Sequence, residues 1–166
     1  LRGIIGGGTN RMNRAVVRRT TLGLARYLKA TVPDVMTRGV IIGRDGRLMS
    51  VEFAQDAAAV VAAEGIPEWV FKGVAPTPLT AFAVNRLNAA AGIMVTASHN
   101  PPEYNGYKVY WGNGAQIIPP HDKGIASAIA AIGPLVSIAQ LPENVARNRG
   151  RLRHVPDALA ERYLDG

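Results

Sequence analysis

The chain has 166 residues, of which 48% are hydrophobic and 19% are charged, with a net charge of +7 at pH 7 and no cysteine. This composition supplies an apolar core and excludes a disordered chain, a disulfide scaffold and a cysteine-based metal or redox site. No apolar run approaches the ~20 residues of a membrane-spanning helix. Because the absence of cysteine is compatible with a reducing compartment, a cytoplasmic location is expected.

Helical patterns alternate with short apolar runs along the first part of the chain. Asn13 is predicted to cap a first helix that stops before Val32-Pro33. The β-branched run at residues 40–42 predicts a buried strand, and Ser50 is predicted to cap a second helix. A second strand is predicted to begin at residues 69–71.

The same alternation continues toward the carboxyl end. Thr77-Pro78 predicts the start of a third helix, and residues 92–95 predict a strand buried on both faces. Residues 107–111 predict another strand, which follows too soon for a helical crossover and is therefore expected to be antiparallel. Asp122 is predicted to cap a fourth helix. Together these elements predict a three-layer α/β/α domain with a mixed, mostly parallel sheet.

The last part of the chain is predicted to be less regular. Residues 144–154 have little apolar content and carry four alternating arginines, Arg147, Arg149, Arg151 and Arg153. This composition predicts a solvated linker or surface stretch. Residues 156–164 then resemble the start of another helix.

The most informative stretch covers residues 96–108, which read Thr-Ala-Ser-His-Asn-Pro-Pro-Glu-Tyr-Asn-Gly-Tyr-Lys. It leaves the carboxyl end of the most buried predicted strand, which is where open α/β sheets bind ligands. Ser98 can carry an acyl or phosphoryl group, His99 can act as an acid or base, and Lys108 can contact an anion or act as an acid. An ordinary solvated turn remains the alternative, because serine and asparagine favour turns.

Residues 96–101 followed by residues 105–108 resemble the active-site signature of the α-D-phosphohexomutase superfamily, which includes phosphoglucomutases and phosphomannomutases. Leu1-Arg2-Gly3 resembles the end of the amino-terminal signature of that family. Residues 43–47 match the family's second-strand loop more weakly. The similarity runs over nearly the whole chain, and the ten-residue step from Ser98 to Lys108 makes an accidental match very improbable.

The resemblance implies a role for five residues. Ser98 would be the phosphoserine that shuttles the phosphoryl group, and His99 and Lys108 would be the acid/base and phosphate-contacting pair beside it. Arg2 and Asn100 would contact substrate or phosphate. The resemblance also implies Mg²⁺ bound through the phosphate on Ser98. Because the aspartates of this sequence are isolated from one another, the remaining metal ligands are expected outside this chain.

The resemblance also implies a division of the chain. Residues 1–150 would form the phosphoserine-bearing amino-terminal domain, without its extreme amino terminus. Residues 151–166 would be a linker and the truncated start of a second domain. The remaining domains of the same polypeptide are then expected partners, and this chain alone is expected to be inactive.

The implied reaction interconverts hexose 1-phosphate and hexose 6-phosphate through the phosphoserine and a 1,6-bisphosphate, which would also act as the activator. Residues 8–13 and 23–28 are similar to the branch that contains phosphoglucomutases and phosphopentomutase-like enzymes, and we favour phosphoglucomutase. Phosphomannomutase and phosphopentomutase are the alternatives. A polyanion- or nucleic-acid-binding module is the alternative of another class, suggested by the net charge. The aromatic content of 6%, without aromatic–basic interleaving, argues against it, so neither a nucleic acid nor a membrane is expected as a partner.

Overall fold

Strands and helices alternate through most of the chain in the computed structural model, which describes residues 1–133 and 138–165. The strands are β1 (Arg2–Ile4), β2 (Val40–Arg44), β3 (Glu68–Val70), β4 (Ala91–Val95), β5 (Tyr104–Trp111) and β6 (Leu152–His154). The helices are α1 (Arg14–Thr31), α2 (Val35–Arg38), α3 (Ser50–Ala63), α4 (Thr77–Arg86), α5 (His121–Ala130), α6 (Glu143–Asn148) and α7 (Asp157–Asp165). None of the described helices is both long enough and apolar enough to cross a membrane.

The strands form one mixed sheet in the order β1-β5-β4-β2-β3-β6. Strands β4, β2, β3 and β6 are parallel to one another, whereas β5 runs antiparallel to both β4 and β1. The predicted antiparallel strand is therefore confirmed. In its register with β4, Lys108 lies opposite Met94, four residues before Ser98.

Apolar clusters on both faces of the sheet hold the helices in place. Val40 and Ile42 belong to the cluster that includes α1, α3 and α5, whereas Ile41 between them belongs to the cluster of α4 and α7. This alternation explains why β2 reads as an unbroken apolar run, since a strand covered on both faces buries every side chain. The predicted three-layer α/β/α fold is confirmed.

Two of the four predicted helix starts are confirmed. The Asn13 side chain accepts a hydrogen bond from the Val16 N–H at 2.9 Å, so Asn13 caps α1 as predicted. Helix α4 begins at Thr77-Pro78 as predicted, with Pro76 in the cap position. The predicted caps Ser50 and Asp122 are wrong, because the cap positions belong to Met49 and Pro120. Ser50 lies inside α3 because its buried hydroxyl is used in a contact with the preceding loop.

The sequence predicts a solvated linker or surface stretch over residues 144–154. Residues 147–150 are exposed, as a surface stretch would be, but α6 and β6 occupy most of the segment, so it is not an irregular linker. Strand β6 pairs in parallel with β3 and extends the sheet. The Arg151 Nη1 atom donates to the Ala62 carbonyl at 2.6 Å, and Arg153 lies over the Trp69 ring. These arginines are therefore part of the packing. The predicted division of the chain at residue 150 stays a prediction.

Glu68 is a buried acid at the start of β3, with only 1% of its surface exposed. Its Oε2 atom has no hydrogen-bond partner among the described residues. Burial, and secondarily the charge of Glu143, raises the pKa of this carboxyl from 4.5 to about 8. The folded chain therefore holds Glu68 protonated at neutral pH.

We expect Glu68→Gln to stabilise the 166-residue chain increasingly as the pH rises from about 4.5 to about 8. In that window the unfolded carboxyl ionises while the folded one keeps its proton, so each step upward in pH favours unfolding of the wild type. Glutamine has the shape of the protonated acid and cannot ionise. Thermal unfolding of both chains between pH 4 and pH 9 measures the difference in their Tm values. A difference that does not change with pH would contradict the raised pKa of Glu68.

Candidate active site

Residues 96–103 form the loop between β4 and β5, at the carboxyl end of a central strand. Ser98 has a φ of 56°, in the left-handed region that residues other than glycine seldom adopt. Its N–H donates to the Thr96 Oγ1 atom at 3.0 Å, and the Asn100 N–H donates to the Ala97 carbonyl at 3.1 Å. The first part of the loop is therefore a tight turn with its own hydrogen bonds, and Ser98 lies within that turn.

Lys108 lies directly beside Ser98. Its Nζ atom donates to the Ser98 Oγ atom at 2.7 Å, and both residues are partly buried. The antiparallel return of β5 brings the two together across ten residues of sequence. An ammonium group in this position stabilises negative charge on the serine oxygen or on a group attached to it.

Arg2 and Asn100, which were both predicted to contact substrate or phosphate, contact each other. Strand β1 pairs with β5 so that Arg2 lies opposite Gly106, and its Nη1 atom donates to the Asn100 Oδ1 atom at 2.9 Å. His99 is different, because it is exposed and makes no hydrogen bond to the described residues. The structure thus groups four of the five predicted residues in two contacts and leaves His99 facing solvent.

Arg47 also contacts the loop, although sequence reasoning assigned it no role. Its guanidinium donates to the carbonyls of Ser98, of Pro101 at 3.0 Å and of Tyr104 at 3.4 Å. The side chain is 18% exposed. The signal that could have identified Arg47 from the sequence was its place in the weakly matched segment 43–47. That segment, however, lies more than fifty residues from Ser98 in sequence.

A chain of hydrogen bonds fixes Arg47 to the sheet. The Asp45 carboxylate accepts the Arg47 backbone N–H at 3.0 Å and pairs with its Nε atom at 3.3 Å. The Ser50 hydroxyl donates to the same carboxylate at 2.6 Å, and the Asn105 amide donates to Ser50 Oγ at 3.0 Å. The loop after β2 and the start of β5 are thereby joined through buried polar side chains.

The site is rich in cations and poor in metal ligands. Arg2, Arg47 and Lys108 all donate to the loop or to Ser98. Residues 1–133 and 138–165 contain no group of three or more histidine, aspartate or glutamate side chains placed to hold a metal ion. The predicted Mg²⁺ and its binding through a phosphate on Ser98 stay predictions.

Comparison with known proteins shows the family of the chain. Residues 1–135 match the model described as phosphoglucomutase/phosphomannomutase, alpha/beta/alpha domain I. The chain therefore belongs to the phosphoglucomutase/phosphomannomutase family, which confirms the resemblance found in the sequence. A crystal structure of a putative phosphomannomutase from Thermus thermophilus superposes with a TM-score of 0.71 at 31% identity, over 86% of this chain and 31% of that one.

Two curated relatives are more similar in sequence to this chain than that crystal structure is. A probable phosphoribomutase from Schizosaccharomyces pombe is 50% identical over 145 residues, which are 87% of this chain and 25% of the relative. A phosphopentomutase from Homo sapiens is 47% identical over 135 residues, which are 78% of this chain and 22% of the relative. The chain thus spans about a quarter of the length of the relatives it matches.

We expect Gly106→Ala to destabilise the chain by about 1–3 kcal/mol, in the range of other overpacking substitutions. A Cβ at this position would lie 2.6 Å from the Thr96 carbonyl oxygen and 3.0 Å from that of Leu1, and neither backbone can move without breaking strand pairing. Gly7→Ala is the matched control, since a Cβ there meets nothing within 4 Å. Urea unfolding compares the two, and equal midpoints would show that β5 does not pack this closely.

Proposed function

We propose that this chain is the phosphoserine-bearing domain of a sugar phosphomutase, with Ser98 as the residue that carries the phosphoryl group. The observation that supports this role best is the 2.7 Å hydrogen bond from Lys108 Nζ to Ser98 Oγ, at the carboxyl end of a buried parallel strand. Phosphoryl transfer depends chiefly on positioning and on stabilisation of charge. A serine held in a tight loop beside a lysine meets both requirements.

In the proposed reaction, phospho-Ser98 gives its phosphoryl group to a free hydroxyl of a sugar monophosphate. The bond from phosphorus to Ser98 Oγ breaks, a bond to the sugar oxygen forms, and the proton of the sugar hydroxyl passes to Ser98 Oγ, so the product is a sugar bisphosphate. In the return step Ser98 Oγ attacks the other phosphate and loses its proton, while the bond from that phosphorus to its sugar oxygen breaks and the sugar oxygen takes up a proton. Lys108 Nζ is the group in contact with that oxygen, so it is placed to hold the proton or to stabilise the charge. His99 remains the second acid/base candidate.

For the substrate, we propose a pentose phosphate in place of the predicted hexose phosphate. The predicted preference for phosphoglucomutase finds no support in the two relatives, which are named phosphoribomutase and phosphopentomutase. The alternative of a phosphopentomutase fits these names better. The reaction would then move the phosphoryl group between the 1- and 5-oxygens through a 1,5-bisphosphate.

The rest of the enzyme is proposed to lie outside this chain. Because the chain covers 22–25% of those relatives, recognition of the sugar and of its second phosphate falls to further domains. We retain residues 1–150 as the phosphoserine-bearing domain and residues 151–166 as the connection to the next one. Mg²⁺ would be bound jointly by the phosphate on Ser98 and by ligands of another domain, and would neutralise phosphate charge when bound.

We expect the complete protein to interconvert ribose 1-phosphate and ribose 5-phosphate, with Ser98→Ala abolishing turnover. Lys108→Met should lower kcat by about 100-fold or more, because it removes a donor at the developing charge. Exposed Ser127 on α5 supplies the control, Ser127→Ala, which should keep wild-type activity. A coupled assay in Mg²⁺ with a trace of sugar bisphosphate would measure all four proteins.

The assay panel also includes glucose 1-phosphate and mannose 1-phosphate. Turnover of glucose 1-phosphate at a higher kcat/KM than the pentose would restore phosphoglucomutase as the assignment. Wild-type turnover by Ser98→Ala would show that another group carries the phosphate. Detection of phosphate on Ser98 by mass spectrometry of the wild-type protein, and its absence from the alanine variant, tests the phosphoserine without reference to any substrate.

A further inference from the structure

We propose that Arg47 is a positioning residue for phosphoryl transfer, which fixes the backbone of the Ser98 loop without touching the substrate. This inference rests on the function proposed for Ser98. It assigns a role to the loop after β2. Neither the active-site signature in the sequence nor the names of the relatives assign a role to that loop.

A single guanidinium joins the beginning, middle and end of the loop. The Nη2 atom of Arg47 donates to the Ser98 carbonyl, and its Nη1 atom donates to the Pro101 and Tyr104 carbonyls at 3.0 and 3.4 Å. Ser98 is the third residue of the loop 96–103 and Tyr104 is the first residue of β5. Beside the contact of Arg2 with Asn100, this one side chain therefore links the backbone of the serine to the start of the strand that carries Lys108.

The loop needs such a contact because apolar packing holds only its start, where Ala97 is buried. His99, Pro101, Pro102 and Glu103 are all exposed. Ser98 is in a left-handed conformation, which costs free energy and persists only where the surroundings enforce it. Hydrogen bonds to backbone carbonyls are then the means by which the serine oxygen stays aligned with Lys108.

Arg47 is itself held rigidly, which makes it suitable for positioning. The Asp45 carboxylate pairs with its Nε atom at 3.3 Å, and the Asp45 N–H donates to the Val95 carbonyl at the end of β4 at 3.1 Å. A planar guanidinium can direct separate nitrogens at separate carbonyls, whereas a lysine offers one nitrogen at one point. The geometry of the fork, and not its charge alone, is therefore what the loop requires.

The test compares Arg47→Lys with Arg38→Lys in the complete protein. Arg38 is a close match for Arg47: it donates to the carbonyls of Asn88 and Ala89, pairs with Asp34, and is 22% exposed against 18%. Arg38 is the last residue of α2 and contacts the loop before β4, away from Ser98. Both substitutions should lower Tm by similar amounts. A fall in kcat that came only from lost stability would therefore appear equally in both variants.

We expect Arg47→Lys to lower kcat by about 10- to 100-fold, because a misplacement of ~1 Å at the reacting group costs up to that factor. KM should change much less, since the Arg47 nitrogens are engaged with carbonyls. The ³¹P resonance of phospho-Ser98 should shift or broaden in Arg47→Lys and not in Arg38→Lys. Asp45→Asn, which removes the partner of the guanidinium, should lower kcat in the same way.

Wild-type kcat in Arg47→Lys would overturn the proposal, as would an equal loss of kcat in Arg38→Lys. If Arg47→Lys does not fold, the Asp45→Asn variant decides between the same two outcomes. Failure of the proposed function is distinguishable, because it would appear as unchanged turnover in Ser98→Ala. A lower kcat in Arg47→Lys with an unchanged ³¹P resonance of phospho-Ser98 would also contradict a positioning role for Arg47.

Discussion

The antiparallel pairing of β5 with β4 is the constraint on which the candidate site depends. A parallel strand would need a helical crossover, which would carry the chain to the far end of the sheet before it returned. The short loop 96–103 instead reverses the chain at once, so Lys108 on β5 comes to lie beside Ser98. Strand β1 then pairs with the outer edge of β5 and brings Arg2 to the same loop. One local reversal thus gathers groups from three strands.

The distribution of positive charge also follows from this arrangement. The net charge of +7 suggested a polyanion-binding surface, but many of the arginines are used inside the fold. Arg14 and Arg18 pair with the buried carboxylate of Asp56, which joins α1 to α3. Arg151, next to β6, donates to the backbone carbonyl of Ala62 in α3. Arg2, Arg47 and Lys108 instead contact Ser98 or its loop, which fits the proposed phosphate-carrying role of Ser98 better than a diffuse basic face.

Polar groups fix the carboxyl end of the parallel strands, whereas apolar groups fix the centre of the sheet. Val40, Ile41 and Ile42 define the layers by burial alone. At the carboxyl ends of the strands the chain leaves the core, and backbone carbonyls must find donors. Arg47 and Asn105 supply these donors from opposite sides. This division allows the loop to be rigid without being buried, and a rigid, accessible loop is what group transfer requires.

The sequence by itself determined the elements that carry strong local signals. Asn13 before a helical period predicted α1, unbroken apolar runs predicted β2 and β4, and the spacing from Ser98 to Lys108 identified the family. These signals are local because a cap, a buried strand and a tight loop each depend on residues close in sequence. Only the tertiary structure decided the three-residue strands β1 and β6, the exposure of His99 and the contacts of Arg47. Strands β1 and β6 are too short for periodicity and lack the apolar run that predicted β3. A hydrogen bond between residues fifty positions apart leaves no trace in the local pattern, because it forms only after the sheet has brought its ends together.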